Sequence, residues 1–131
     1  MLVQRNDKLF QFFRYGINGV VATLAHFGVL ALLIDGWDMS SAAVANGFAA
    51  IIGITVSFLG NRYFVFKSAV ESIYRQASRF GLLYLSIALI HAFVMFLLSD
   101  LAGLSYQVGF LVATVVQFIL SYFGNRFLVF Q

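Results

Sequence analysis

The chain has no cysteine and no proline, and charge is scarce. Without cysteine there is neither a disulfide framework nor a thiolate metal site. Only 10% of the 131 residues are charged and 62% are hydrophobic, against roughly 25% charged in a soluble domain, so most of the chain does not meet water. The eight basic residues have no polar domain to carry them, which excludes a nucleic-acid partner. No Asp or Glu falls inside the apolar runs, which removes the intramembrane carboxylate that a proton-coupled exporter uses. No nucleophile, base and orienting group can be assembled either. The sequence therefore reads as that of a non-enzyme with no cofactor and no metal site.

What is present is four apolar runs, at about 16–34, 41–61, 80–99 and 104–125. Each is near the ~20 residues that cross a bilayer core as a helix. They are apolar all round rather than alternating, which excludes a membrane barrel. The expected fold is all-α: one transmembrane domain over residues 1–131, with helices at about 9–34, 41–66, 74–99 and 104–130. Gly36 is expected to break the first helix beside an interfacial Trp37. Ser40 or Ser41 is a candidate cap for the second helix and Ser105 for the fourth. The polar stretch 67–76 links the halves. Arg5, Lys8 and Arg14 ahead of an apolar run, with Ala43-Val44-Ala45 beyond it, resemble a cleaved leader. The run exceeds the usual 7–15-residue core of a signal peptide, so retention is expected.

Charge sets the expected orientation. Arg5, Lys8, Arg14, Arg62, Lys67, Arg75, Arg79 and Arg126 all lie at one membrane face, while the two hairpin loops hold Asp35, Asp38 and Asp100. The positive-inside rule places both termini and the central linker in the cytoplasm.

The chain uses one stretch twice. Residues 57–66 read SFLGNRYFVF and residues 121–130 read SYFGNRFLVF, an offset of 64. Arg14-Tyr15-Gly16 returns as Arg79-Phe80-Gly81, His26 as His91 and Asp35 as Asp100, at an offset of 65. The unit is a two-helix hairpin, and two crossings separate the copies. This predicts a parallel repeat about an axis along the membrane normal.

Candidate site residues follow from polarity within apolar runs. Arg14, Arg62, Arg79 and Arg126 stand at helix entries and exits. There they either snorkel and fix topology or clamp a phosphate, for which the guanidinium fork is suited. Asn61 and Asn125 need partners at apolar helix ends, across helices or on a ligand. Asn18 lies one turn beyond Arg14, and Asn46 lies near the outer end of the second helix. His26 and His91 come 12 residues after Arg14 and Arg79, or ~18 Å along a helix, near mid-membrane. Each is either a neutral ring bonded to a neighbour or part of a path. Gln117 interrupts a small-residue ridge of the fourth helix (Ser105, Gly109, Ala113, Gln117, Ser121, Asn125), whose counterpart is Ser41, Ala45, Ala49, Gly53, Ser57 and Asn61. Such ridges let helices approach closely.

In the order and spacing of these motifs, the chain resembles the GtrA-like family of small bacterial four-helix membrane proteins. The carrying residues are 13–19 (FRYGING), Ala45-Asn46, 57–66, Arg79-Phe80 and 125–130 (NRFLVF). The resemblance implies flipping of an undecaprenyl-phosphate-linked sugar, often glucose, across the bacterial inner membrane for cell-surface polysaccharide synthesis or modification, O-antigen included. Its partners would be membrane lipids and the glycosyltransferases that load and use the lipid. On that reading Arg14, Asn18, Asn61, Arg62, Arg79, Asn125 and Arg126 hold the phosphate and headgroup. Tyr63, Phe64, Phe66, Phe127 and Phe130 meet sugar or prenyl chain, and His26, Asn46, His91 and Gln117 line the path. Four helices are a small body for such a path, so a parallel homo-oligomer is expected. The alternative is a non-transporting anchor that recruits a polyprenyl-phosphate glycosyltransferase. A third reading, an ion or drug transporter, would depend on His26 or His91.

Overall fold

A computed structural model describes residues 2–67 and 70–131. Met1, Ser68 and Ala69 lie outside the described residues, as do the side chains of residues 2–5, Ala43 and Tyr106. Part of the 67–76 linker, the Arg5 side chain and Ala43 of the leader-like triplet are thus outside it. The described residues form four α-helices and no strand: α1 Leu2–Ala31, α2 Ala42–Gly60, α3 Ile73–Met95 and α4 Tyr106–Gly124. Each runs on into a wider π-helical turn: π1 Leu32–Gly36, π2 Asn61–Val65, π3 Phe96–Leu101 and π4 Asn125–Val129. α1 extends back through the polar lead because residues 2–8 hold good helix formers and no breaker. Four spans are long and apolar enough to cross a membrane: Asn6–Gly36, Val44–Val65, Ile73–Leu101 and Gln107–Val129. Their large outward residues, such as Leu24, Phe27, Leu85 and Leu111, are those of a protein whose solvent is lipid.

The chain divides into two compact units, residues 1–69 and 70–131, each a helical hairpin. Unit 1 closes with Trp37 N–H donating to Leu32 O (3.1 Å) and Met39 N–H to Leu33 O (3.0 Å). Unit 2 closes with Ala102 N–H to Leu97 O and Leu104 N–H to Leu98 O, both 3.0 Å. These are the same bonds moved by 65 residues. The left-handed residue that turns the chain is Asp38 (φ 50°) in one and Gly103 (φ 73°) in the other. Asp tolerates that conformation better than most non-glycine residues, so the turn falls at Asp38 and not at Gly36. Ser41 Oγ accepts from Val44 N–H and Ser105 Oγ from Val108 N–H, an offset of 64. The extra residue of the first hairpin is therefore Ser40.

Within each unit the small-residue ridge is buried along most of its length, its first members Ser41 and Ser105 being exposed. Ala45, Ala49 and Asn61 of unit 1 and Ala113 and Asn125 of unit 2 are fully enclosed. A β-carbon on Gly53 would lie 2.8 Å from the His26 β-carbon and 3.4 Å from Ala22 O. The His26 β-carbon is fixed to its backbone and cannot rotate away, so α1 and α2 are in backbone-level contact there. Gly53→Ala should destabilise the protein by about 1–3 kcal/mol, as overpacking does. Unfolding in detergent titrated with dodecyl sulfate measures this, and an unchanged midpoint would remove the close approach.

Candidate functional site

At the basic end of each unit an entry helix meets an exit π turn. The sequence dictates this through aromatics that flank the arginines. Buried Tyr15 packs on Phe66 with ring centroids 6.4 Å apart, and buried Phe80 on Phe130, also 6.4 Å. The two pairs occupy equivalent positions and clasp the entry of one helix to the last residue of the repeated motif. Phe66 and Phe130 thus turn inward, whereas Tyr63, Phe64 and Phe127 stay outward. The clasp is written in the sequence as an aromatic after each entry arginine, Tyr15 after Arg14 and Phe80 after Arg79.

The π turns carry the Asn-Arg pairs. Phe66 N–H donates to Asn61 O at 2.9 Å and Phe130 N–H to Asn125 O at 2.8 Å. Single π turns in helices often mark functional sites. In π2 both Asn61 and Arg62 are buried; in π4 Asn125 is buried and Arg126 half-exposed. The Arg62 guanidinium lies 5.3 Å from the Tyr63 ring centroid, and that of Arg126 lies 5.2 Å from Phe127. Stacking on aromatic faces suits guanidinium and leaves its in-plane donors directed elsewhere.

The units differ in what surrounds these pairs. In unit 1, Asn18 donates through Nδ2 to Ser57 O at 3.0 Å, and its amide rests on Gly60. It joins α1 to α2. Leu83 stands at the equivalent place in unit 2 and rests on Gly124. One residue on, unit 2 has Tyr84 where unit 1 has Gly19. Asn125 donates to the Tyr84 hydroxyl at 3.3 Å and to Ser121 O at 2.7 Å. Asn61 lacks such a phenol, and neither atom of its fully enclosed amide finds a partner among the described residues. A buried amide left so costs about 1–3 kcal/mol and calls for a ligand, a water or a functional strain to explain it.

The entry arginines differ too. Arg79 donates to Glu71 Oε1 at 2.9 Å, and Arg75 lies 3.8 Å from the same oxygen. Arg14 has no acidic partner among the described residues and lies 6.0 Å from the Phe64 ring centroid. Glu71, the single glutamate of the chain, is the residue that charge counting by apolar run passed over.

At mid-span each histidine bonds an amide within its own unit. His26 Nε2 and Asn46 Oδ1 are 2.9 Å apart, and His91 Nδ1 and Gln117 Oε1 are 2.8 Å apart. The partners are not equivalent positions. Asn46 corresponds to Phe110, whose ring meets that of His91 edge-on at 5.6 Å, and Gln117 corresponds to Gly53. Thus Asn18, Asn46, His26, His91, Gln117 and Asn125 are tied into helix pairing. Arg14, Asn61 and Arg62 gather at the basic end of unit 1, and Arg79 and Arg126 at that of unit 2. No cluster of three or more metal-ligating residues occurs among the described residues.

Paired helical hairpins with lipid-facing flanks and cationic, amide-bearing helix exits define a multi-pass membrane protein whose polar chemistry is concentrated at helix ends. The chain belongs to the GtrA/DPMS transmembrane-domain family, whose model matches residues 14–130. That membership ties it to lipid-linked sugar or polysaccharide synthesis, in a family generally of non-catalytic, transporter type. A search of curated proteins finds no match.

Proposed function

We propose that the protein flips a polyprenyl-phosphate-linked hexose across the bacterial cytoplasmic membrane, gripping the lipid phosphate at the basic end of unit 1. One observation carries this reading: the enclosed Asn61 amide has no partner among the described residues and sits in a turn with Arg62, against a helix whose Arg14 has no acidic partner there. Phosphate oxygens accept from guanidinium and from amide N–H alike, and charge-assisted bonds of this kind are among the strongest available. The basic end faces the cytoplasm, where the lipid is loaded. Lipid-facing flanks let the prenyl tail remain in the bilayer while only the head moves.

The test is transport in proteoliposomes holding the purified protein and a fluorescent short-chain polyprenyl-phosphate glucose. Transfer between leaflets should be protein-dependent and should stop in the double variant Arg14→Gln, Arg62→Gln. Absence of transfer, with stable capture of a polyprenyl-phosphate glycosyltransferase, would replace the flippase by an anchor. Proton-coupled uptake of a soluble cation that depends on His26 or His91 would replace it by an ion or drug transporter.

A further inference from the structure

Unit 2 carries an open cavity of about 310 Å³ lined by Tyr84, Ile87, Ala88, His91, Ala92 and Gln117, of which Ala88 and Ala92 are exposed at its mouth. Five of these form one stripe of α3, and Gln117 reaches in from α4. The sequence explains why the space exists. The two alanines of the stripe correspond to Thr23 and Phe27 of unit 1, and Gln117 to Gly53. In unit 1 the Gly53 surface is covered by the His26 β-carbon. In unit 2 the Gln117 side chain meets the imidazole instead, and Ala88 and Ala92 leave the wall short.

The chemistry of the lining narrows its occupant. No lining residue is a carboxylate, lysine or arginine, and an unpaired phosphate there would meet a desolvation penalty of many kcal/mol. The lining is mostly apolar, and what a prenyl tail would leave unmet is its few polar atoms. Gln117 Oε1 can only accept, so the proton of the 2.8 Å bond lies on His91 Nδ1, and in the neutral ring Nε2 is then an acceptor. The Gln117 NH2 has no partner among the described residues and remains a donor. At the other end the Tyr84 hydroxyl takes a bond from Asn125, which links the cavity to the exit motif. Acceptor, donor and phenol surround apolar walls from Ile87 and two alanines, a pattern that matches a ring bearing hydroxyls at its rim and C–H groups on its faces. The volume equals that of on the order of ten waters at ~30 Å³ each, which is the scale of one sugar ring.

We propose that this cavity is the subsite for the neutral hexosyl group of the lipid-linked sugar, provided by unit 2 alone. The choice of ligand rests on the lipid-linked-sugar reading above; the site itself does not use the phosphate. The probe is therefore an uncharged alkyl β-glucoside, with the alkanol of the same chain length as control. Protein with ¹³C-labelled alanine methyls is titrated in lipid nanodiscs. The Ala88 and Ala92 methyl resonances should shift saturably with the glucoside. Half-saturation should come at about tenfold lower concentration than with the alkanol, for the hydrogen bonds it adds. Gln117→Leu should remove that preference by deleting the donor, and Ala92→Leu should remove it by filling the space. The second variant leaves the His91–Gln117 bond in place.

Equal half-saturation by glucoside and alkanol, a preference that survives both variants, or no saturable shift would each overturn the subsite. Saturable glucoside binding without transport in proteoliposomes would keep the cavity and sink the flippase. Transport without glucoside binding would do the reverse.

Discussion

Gly60→Ala should destabilise the protein by about 2–3 kcal/mol, within the range for overpacking and for loss of a buried polar contact. Asn18→Ala in the same chain should restore most of that. A β-carbon on Gly60 would fall 2.6 Å from Asn18 Cγ, with the amide oxygen nearer still. The amide cannot simply swing away. Asn18 is buried, and its Nδ2 is committed to Ser57 O at 3.0 Å. The added methyl therefore either parts α1 from α2 or breaks that bond, which strands the buried Asn18 amide and leaves Ser57 O with the Asn61 N–H alone. Asn18→Ala alone loses one interhelical bond, about 0.6 kcal/mol in membrane bundles, but leaves space that the methyl added by Gly60→Ala then fills. The double-mutant cycle should show a coupling of at least about 1 kcal/mol. Additive effects would mean that Asn18 and Gly60 do not meet.

The equivalent substitution in unit 2 sharpens this. The nearest atoms to a β-carbon on Gly124 are all of the Leu83 side chain, its two terminal methyls first. Leu83 is half-buried and free of hydrogen-bond obligations. It can change rotamer, so the cost should be under about 1 kcal/mol. Two glycines that the sequence presents as copies should thus differ by about a factor of two or more in free energy, because the residue facing each has diverged from amide to leucine.

That divergence marks where sequence reading stops. Composition and hydropathy specify four spanning helices because lipid leaves the backbone few alternatives. The ridges at four-residue spacing pointed to the buried face because only small residues permit the contact seen at Gly53. Ser40 as the inserted residue, by contrast, needed the hairpin hydrogen bonds, since two adjacent serines are equivalent candidates in a string of letters. The π turns were not legible. Two of them, π2 and π4, carry the Asn-Arg pairs, but π1 and π3 close the other helix ends without one, so no residue type in the sequence encodes the wider turn. At the site, repeat logic treated Asn61 with Asn125, His26 with His91 and Arg14 with Arg79 as pairs. Side chains at the facing positions (Gly19 against Tyr84, Gly53 against Gln117) gave the Asn and His pairs different partners, and Glu71 did so for Arg79. Those facing positions depend on interhelical register, which a single sequence does not display.

The largest functional asymmetry is expected at the entry arginines. Arg14→Gln should weaken binding of a polyprenyl phosphate by about 10- to 100-fold, the equivalent of one charge-assisted hydrogen bond at about 1.5–3 kcal/mol. Arg79→Gln should weaken it by less than about threefold. Arg79 already has a carboxylate in the position a phosphate oxygen would take, 2.9 Å from its Nη1. A second anion must displace Glu71 or share the guanidinium with it, and either reduces the net gain. The pair is itself partly exposed, at 35% for Arg79 and 21% for Glu71, so breaking it costs stability by at most about 1 kcal/mol. Glu71→Gln is therefore a clean test. It should leave the unfolding midpoint nearly unchanged, strengthen polyprenyl-phosphate binding several-fold, and make that gain vanish when Arg79→Gln is added. Binding is read by titration of a short-chain polyprenyl phosphate in nanodiscs at fixed ionic strength, since screening weakens every contact of this kind. Equal losses from Arg14→Gln and Arg79→Gln, with no response to Glu71→Gln, would show that the two basic ends act alike and that the carboxylate is only a support for the first turn of α3.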